Sequence, residues 1–252
     1  MKRTTTIFLS SLLLSSLGLS AQDTPRTPIV RKGTQQTERR EKKKAVEQAT
    51  NQGLTERAKA FLSSDTITTD QALHIDTTLS YISWRGFKPG GEHFGKLPIS
   101  SGTINLKERT LYAGAVVIQM NGITVEDLKG DEGGDKLKAH LESEDFFDVE
   151  KYPEACFELT GIPAEGLKLS DAQVLHGNLT LKGVTKNIAI PIASCVLDIN
   201  EGTYTFTSSV FTINRADWGV KYGSKSFFTG LGDKFINDDI ELSFVLVTRS
   251  VQ

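Results

Sequence analysis

The sequence predicts an all-β fold with one short helix, an eight-stranded antiparallel β-barrel around an elongated apolar tunnel. Three observations predict it. Eight short runs of alternating apolar and polar residues are divided by clusters of turn residues. Only one internal segment has helical spacing, so strand and helix do not alternate and a parallel α/β sheet is excluded. The apolar faces of the strands carry long, unbranched or aromatic side chains and almost no charge, which suits a lumen holding a chain-shaped guest. A sandwich fits the same periodicity, and so does a barrel filled by its own side chains. Closure is preferred because it leaves no unpaired edge strand.

The front of the 252-residue chain differs from its body. Lys2 and Arg3 precede an apolar run from Ile7 to Leu19, too short to span a bilayer, and then Ser20 and Ala21. That is the pattern of a secretory signal peptide over residues 1–21, cleaved near Ala21, and it predicts a periplasmic or secreted protein. Residues 22–71 are rich in Thr, Gln, Lys, Arg and Glu and read as a basic linker, largely disordered or partly helical. Val46, Ala49, Leu54, Ala58 and Phe61 lie roughly on one helical stripe there, which Gly53 interrupts. A solvated spacer is preferred to a basic tether for an anionic membrane or envelope surface. The folded domain is expected over 72–252.

Within that domain the first strand is expected at 79–87, ended by Lys88, Pro89, Gly90 and Gly91. A second runs from His93 past Ile104 and Leu106. A third covers 111–120, with Val116, Ile118 and Met120 on one face. The helix follows at 135–144, where Leu137 and Leu141 stand at i, i+4 and Asp135 is placed to cap the N-terminus. The remaining strands are expected at 155–162, 174–182, 186–199, 204–213 and 240–248.

Charge and chemistry narrow the function. The formal net charge of −2 divides into +2 for residues 1–21, +5 for 22–60 and −9 for 61–252. An acidic body repels phosphates, so nucleic acid is not an expected partner. His74, His93, His140 and His176 lack ligand spacing, and no metal site is expected. The Ser residues have no GxSxG context and no Cys–His pair is suggested, so the chain is not read as an enzyme. Cys156 and Cys195 fall on the fourth and sixth strands. In a meander those lie two apart, about 9.6 Å, beyond disulfide reach. Two thiols are expected, despite an oxidising compartment.

Three stretches go beyond strand patterning: HLESEDFFDVEKYPEACFEL from His140, HGNLTLKGVTKNIAIPI from His176, and INRADWGVKYGSKSFFTGLGDKFINDDIEL from Ile213. In this order and spacing they resemble the YceI family of secreted lipid-binding proteins, over about residues 74–247. The resemblance implies a lipocalin-like barrel whose tunnel holds a long isoprenoid or related lipid, with no cofactor besides that lipid. It also implies a periplasmic or extracellular location and association as a homodimer.

The aromatic candidates for lining or closing the tunnel are Trp84, Phe94, Phe146, Phe147, Phe211, Trp218, Phe227 and Phe228. Phe146 and Phe147 follow the helix and are placed to plug one end. The other inward candidates are Ile104, Val116, Ile118, Phe157, Leu179, Leu181, Ile190, Ile192, Ile213, Leu242 and Phe244. Ordinary core packing competes for each. His93, between Gly91 and Gly95 at a barrel mouth, and Arg215 are the candidates for a lipid head group. For Arg215 a structural ion pair with Asp217 is read first.

The leading functional reading is a carrier or store of a long-chain apolar lipid, of isoprenoid quinone or polyprenyl type. One alternative is an envelope interaction module, with the barrel as scaffold and residues 22–71 as the binding element. Another is an enzyme acting on a tunnel-bound lipid, which needs a titratable residue deep in the lumen. The inward set holds none.

Overall fold

The computed structural model describes residues 40–42, 56, 72–128 and 133–249. The expected signal peptide and the helical stripe within 22–71 lie outside the described residues. By its contacts the chain divides after Glu41, and the barrel belongs to the unit that begins at Lys42.

Residues 72–128 and 133–249 form eleven strands and one α-helix. The strands are β1 (Ala72–His74), β2 (Tyr81–Lys88), β3 (Gly91–Lys107), β4 (Thr110–Gln119), β5 (Glu154–Thr160) and β6 (Leu167–Lys168). There follow β7 (Val174–Leu181), β8 (Val184–Asp198), β9 (Thr203–Ser208), β10 (Phe211–Asn214) and β11 (Asp239–Val247). Helix α1 spans Gly134–Glu142, between β4 and β5. Eight strands, β2, β3, β4, β5, β7, β8, β9 and β11, pair antiparallel in that order, and β11 pairs back onto β2 to close the barrel. The three short strands extend its edges: β1 beside β3, β6 beside β4, β10 beside β11.

Local chemistry explains the corners. Glu108 and Arg109 join β3 to β4 with φ of 49° and 60°, and Lys182 and Gly183 join β7 to β8 with φ of 48° and 71°. Two left-handed residues in sequence make the mirror-image turn whose twist matches the flanking strands. The bulges in β3 at Ile99–Ser101 and in β8 at Ile192–Ser194 bend these two longest strands. As a result β3 serves β2 with one half and β4 with the other, and β8 is shared likewise by β7 and β9.

Two expectations are corrected. The strand expected at 204–213 is two strands, β9 and β10. At the break the hydroxyl of Ser208 accepts the Phe244 N–H at 2.9 Å, in the place of a backbone carbonyl, and Val210 turns into solvent. The helix is capped by Gly133, at φ 98°, with no side-chain cap. Asp135 lies inside the first turn, where its charge still favours the helix N-terminus.

Candidate functional site

The inward faces of the strands enclose an apolar cavity of about 200 Å³. Ile82 and Trp84 come from β2, Leu97 and Ile104 from β3, Val116 and Ile118 from β4, Phe157 and Leu159 from β5. Leu179 and Leu181 come from β7, Ile188 and Ile190 from β8, Phe206 from β9, Phe211 and Ile213 from β10, and Leu242 and Phe244 from β11. Period-2 alternation dictates this set, because one face of each strand must turn inward once the sheet closes. Gly177 lies on the lumen face of β7 between Leu175 and Leu179, and the Phe157 ring packs against it. A Cβ there would stand 2.2 Å from that ring.

Helix α1 covers one end, sending Leu137 and Leu141 into the cavity, and Phe146 and Phe147 follow on the same wall. Beside them the rim carries Phe87, Lys88, His93 and Ile236. Lys88 is exposed to solvent while it borders the cavity, so the lumen reaches the surface here, beside the helix, and this is its open end. Among the described wall residues only Lys88, His93 and Arg215 can ionise. Nδ1 of His93 stands 2.7 Å from the Asp127 carboxylate. Burial would raise the Asp127 carboxyl, but hydrogen bonds from His93 and the Phe94 N–H outweigh it and hold it below the usual carboxylate range. The Trp84 indole N–H donates to the Thr124 carbonyl at 3.1 Å.

Five of the inward candidates lie elsewhere. Phe94 neighbours His93 on β3, so alternation points it outward, under Arg85, whose guanidinium is 5.6 Å from the ring. Ile192 sits at the β8 bulge and borders a separate surface hollow with Ala172 and Cys195. Trp218 is buried behind the wall, its indole N–H donating to the Leu179 carbonyl at 3.1 Å. Phe227 and Phe228 are on the outside of the molecule. Conversely, Leu137, Leu141, Ile236, Lys88 and Asp127 belong to the site and were not assigned to it from the sequence. The i, i+4 leucines carried a usable signal. Ile236 and Asp127 are loop residues, with no periodicity to mark them.

The family described as YceI-like domain matches residues 73–248. The chain belongs to the YceI family. A UPF0312 protein of Pseudomonas savastanoi pv. phaseolicola is 51% identical over 107 residues, 42% of this chain and 50% of that protein. A UPF0312 protein of Pseudomonas aeruginosa is 35% identical over 97 residues, 38% of this chain and 46% of that one. The chain thus spans about half the length of the curated relatives it matches. Among solved structures, BcnA of Burkholderia cenocepacia has the same fold, with a TM-score of 0.51 and 20% identity over 69% of this chain and 98% of that one.

In this YceI-family barrel the sequence motifs are structural fastenings around the open end. Asn214 caps the turn 215–218 by accepting the Ala216 N–H at 2.9 Å. Arg215, 2% exposed, donates to the carbonyls of Asn237, Val220 and Ile236 at 2.9, 3.1 and 3.1 Å. Its ionic partner is Asp238 at 3.3 Å, not the exposed Asp217. With its donors engaged this way, Arg215 borders the lumen as a knot of backbone rather than as a free head-group ligand. In the Lys182–Gly183 turn the ammonium donates to the carbonyls of Glu144, at 2.8 Å, and Phe146, tying the segment after α1 to the barrel. Burial pushes the Lys182 ammonium below its ordinary range, against the pull of Asp148, Asp145 and Glu144.

Proposed function

We propose that the protein binds one long-chain apolar lipid, of isoprenoid quinone or polyprenyl type, reversibly in the barrel lumen and acts as a carrier or store for it outside the cytoplasm. The observation that carries the reading is the wall itself: apolar from end to end, with its ionisable groups confined to the open rim and to the Arg215 knot. Apolar cavities of this order stay dry and accept apolar guests. The apolar run after Lys2 and Arg3 supports a periplasmic or secreted location.

Affinity follows from burial. At about 0.8 kcal/mol per CH₂, each five-carbon unit supplies on the order of 3 kcal/mol before immobilisation is subtracted. Tail length therefore governs binding more than the head does. The rim residues His93 and Lys88 are placed to meet a polar head left at the opening.

Organic extraction and native mass spectrometry of protein purified from its own host test the proposal. A stoichiometric long-chain lipid is expected. A barrel that comes out empty, and that then takes up no polyprenol or quinone of any length, overturns it.

A further inference from the structure

Phe227 and Phe228 stand side by side, 45% and 49% exposed, in the run 225–230, all six of whose residues are exposed. The turn beneath them is tightly built on Ser224, which is 0% exposed. Its carbonyl accepts the N–H groups of Phe227 and Phe228 at 3.3 and 3.0 Å, and its hydroxyl accepts the Ser226 N–H at 3.1 Å. The Ser226 hydroxyl in turn donates to Asp238 at 2.6 Å. Asp238 is the carboxylate that holds Arg215. The fold therefore uses buried polar groups to hold two phenyl rings in water, an arrangement that ordinary core packing does not explain.

The tip belongs to the open end of the lumen. Ile236 lines the cavity, and its N–H donates to the Gly223 carbonyl at 2.8 Å. The next N–H, of Asn237, donates to Phe87 on the rim at 2.9 Å. The segment is also locally basic on an acidic body: residues 219–235 carry Lys221, Lys225 and Lys234 against Asp233 alone. Lys221 reaches over the Phe227 ring at 4.8 Å. Aromatic rings with ammonium groups beside them suit the boundary between acyl chains and anionic head groups, each part meeting the medium it prefers.

We propose that the Phe227–Phe228 tip docks the barrel, open end first, on the surface of a lipid bilayer, with the two rings entering the head-group region and Lys221 and Lys225 facing its phosphates. The purpose, lipid exchange between lumen and membrane, rests on the reading of the lumen given above. The docking is measured without it.

The test is co-sedimentation of the full chain with vesicles of phosphatidylethanolamine and phosphatidylglycerol, comparing the parent with the double variant F227S/F228S. Both rings are exposed, so the variant is expected to melt where the parent does. It should partition roughly tenfold more weakly. The basic residues 22–71 are common to both proteins, and raising the salt removes their contribution while leaving the difference due to the rings. In a separate variant, F228W, the emission gained over that of the parent's Trp84 and Trp218 should shift to the blue with vesicles and be quenched by acyl-brominated lipid. Equal sedimentation of parent and F227S/F228S, or an unquenched F228W, overturns the proposal. So does a change in the sedimentation of F227S/F228S without vesicles, which would make the tip a contact between protein chains. A short fluorescent prenyl alcohol titrated without vesicles should bind parent and variant alike. If it binds neither, the lumen reading fails while the vesicle result stands.

Discussion

Arg215 meets Asp238 at 3.3 Å, and the same guanidinium gathers carbonyls from three different residues of the loop beside the barrel's open end. Arg215→Met strips those carbonyls of their donors and leaves a half-buried carboxylate without its counter-ion. Breaking a buried pair from one side costs about 3–5 kcal/mol. Asp238→Asn leaves the three carbonyl contacts in place and should cost about 1–2 kcal/mol. Urea unfolding of both variants checks the order. An Asp238→Asn that is the more damaging of the two would mean that the carbonyl contacts do not hold the loop.

The lumen makes its own prediction. Val116 projects inward from β4, opposite Gly102 on β3 and Phe157 on β5. Val116→Trp fills the cavity. Overpacking a solid core costs about 1–3 kcal/mol, and here the empty lumen absorbs part of that. Binding of a polyprenol should fall at least about tenfold, a loss of about 1.4 kcal/mol, in a protein that still unfolds cooperatively. Val196→Trp, on the exposed side of β8, is the matched control and should bind as the parent does. Loss of binding in both variants would locate the lipid somewhere other than the lumen.

The strands were legible because alternation is forced wherever one face is buried, and Val116, Ile118, Phe157, Leu179 and Leu242 follow from that rule alone. The rule loses its phase at irregularities. The bulge at Ile192–Ser194 carried Ile192 off the lumen wall, and the Ser208 hydroxyl ended β9 where periodicity ran on into β10. In loops there is no phase at all. The sequence paired Arg215 with its near neighbour Asp217, whereas the fold pairs it with Asp238, more than twenty residues on. Phe227 and Phe228 showed the same limit, since composition marks an aromatic pair as core and only three-dimensional placement shows it in solvent.

The turn between β3 and β4 is strained. Glu108 and Arg109 both take left-handed φ without being Gly or Asn, at about 1–2 kcal/mol per residue. The double variant E108N/R109G supplies the pair this turn type favours. It should stabilise the barrel by about 1 kcal/mol and raise the melting temperature by a few degrees, with lipid binding unchanged. A fall in melting temperature would show that the Glu108 and Arg109 side chains contribute more than the strain removes.

Both cysteines are thiols, Cys156 buried on β5 and Cys195 half-buried on β8. Burial pushes the Cys195 thiol up to about 11, only partly offset by Arg109. Thiolate is the reactive form, so Cys195 should label slowly at pH 8, and Cys156 should be protected by lack of access. Denatured protein should take two labels per chain, counted by intact mass. A burst of labelling in the native state would mean that the wall opens at β5 or β8.

Acid should destabilise the fold through carboxyl groups that the native structure holds ionised. Burial would raise the carboxyl groups of Asp127 and Asp238, but each is held below the usual range: Asp127 by His93 and the Phe94 N–H, Asp238 by Ser224, Ser226 and the charge of Arg215. Asp76 is low in the same sense, chiefly through hydrogen bonds from Thr78. A carboxyl that is more acidic in the folded state than in the unfolded chain adds stability that is complete above its unfolded value, near pH 4. That stability is lost as pH falls through the folded value. The unfolding free energy should therefore hold steady from neutrality down to about pH 5 and then decline. Asp127→Asn abolishes one of these linkages, so its decline should be shallower than the parent's, and that of D127N/D238N shallower still. Urea midpoints measured between neutral and strongly acid pH decide the matter. Parallel acid slopes for parent and D127N would show that the carboxylate beside His93 does not hold the mouth.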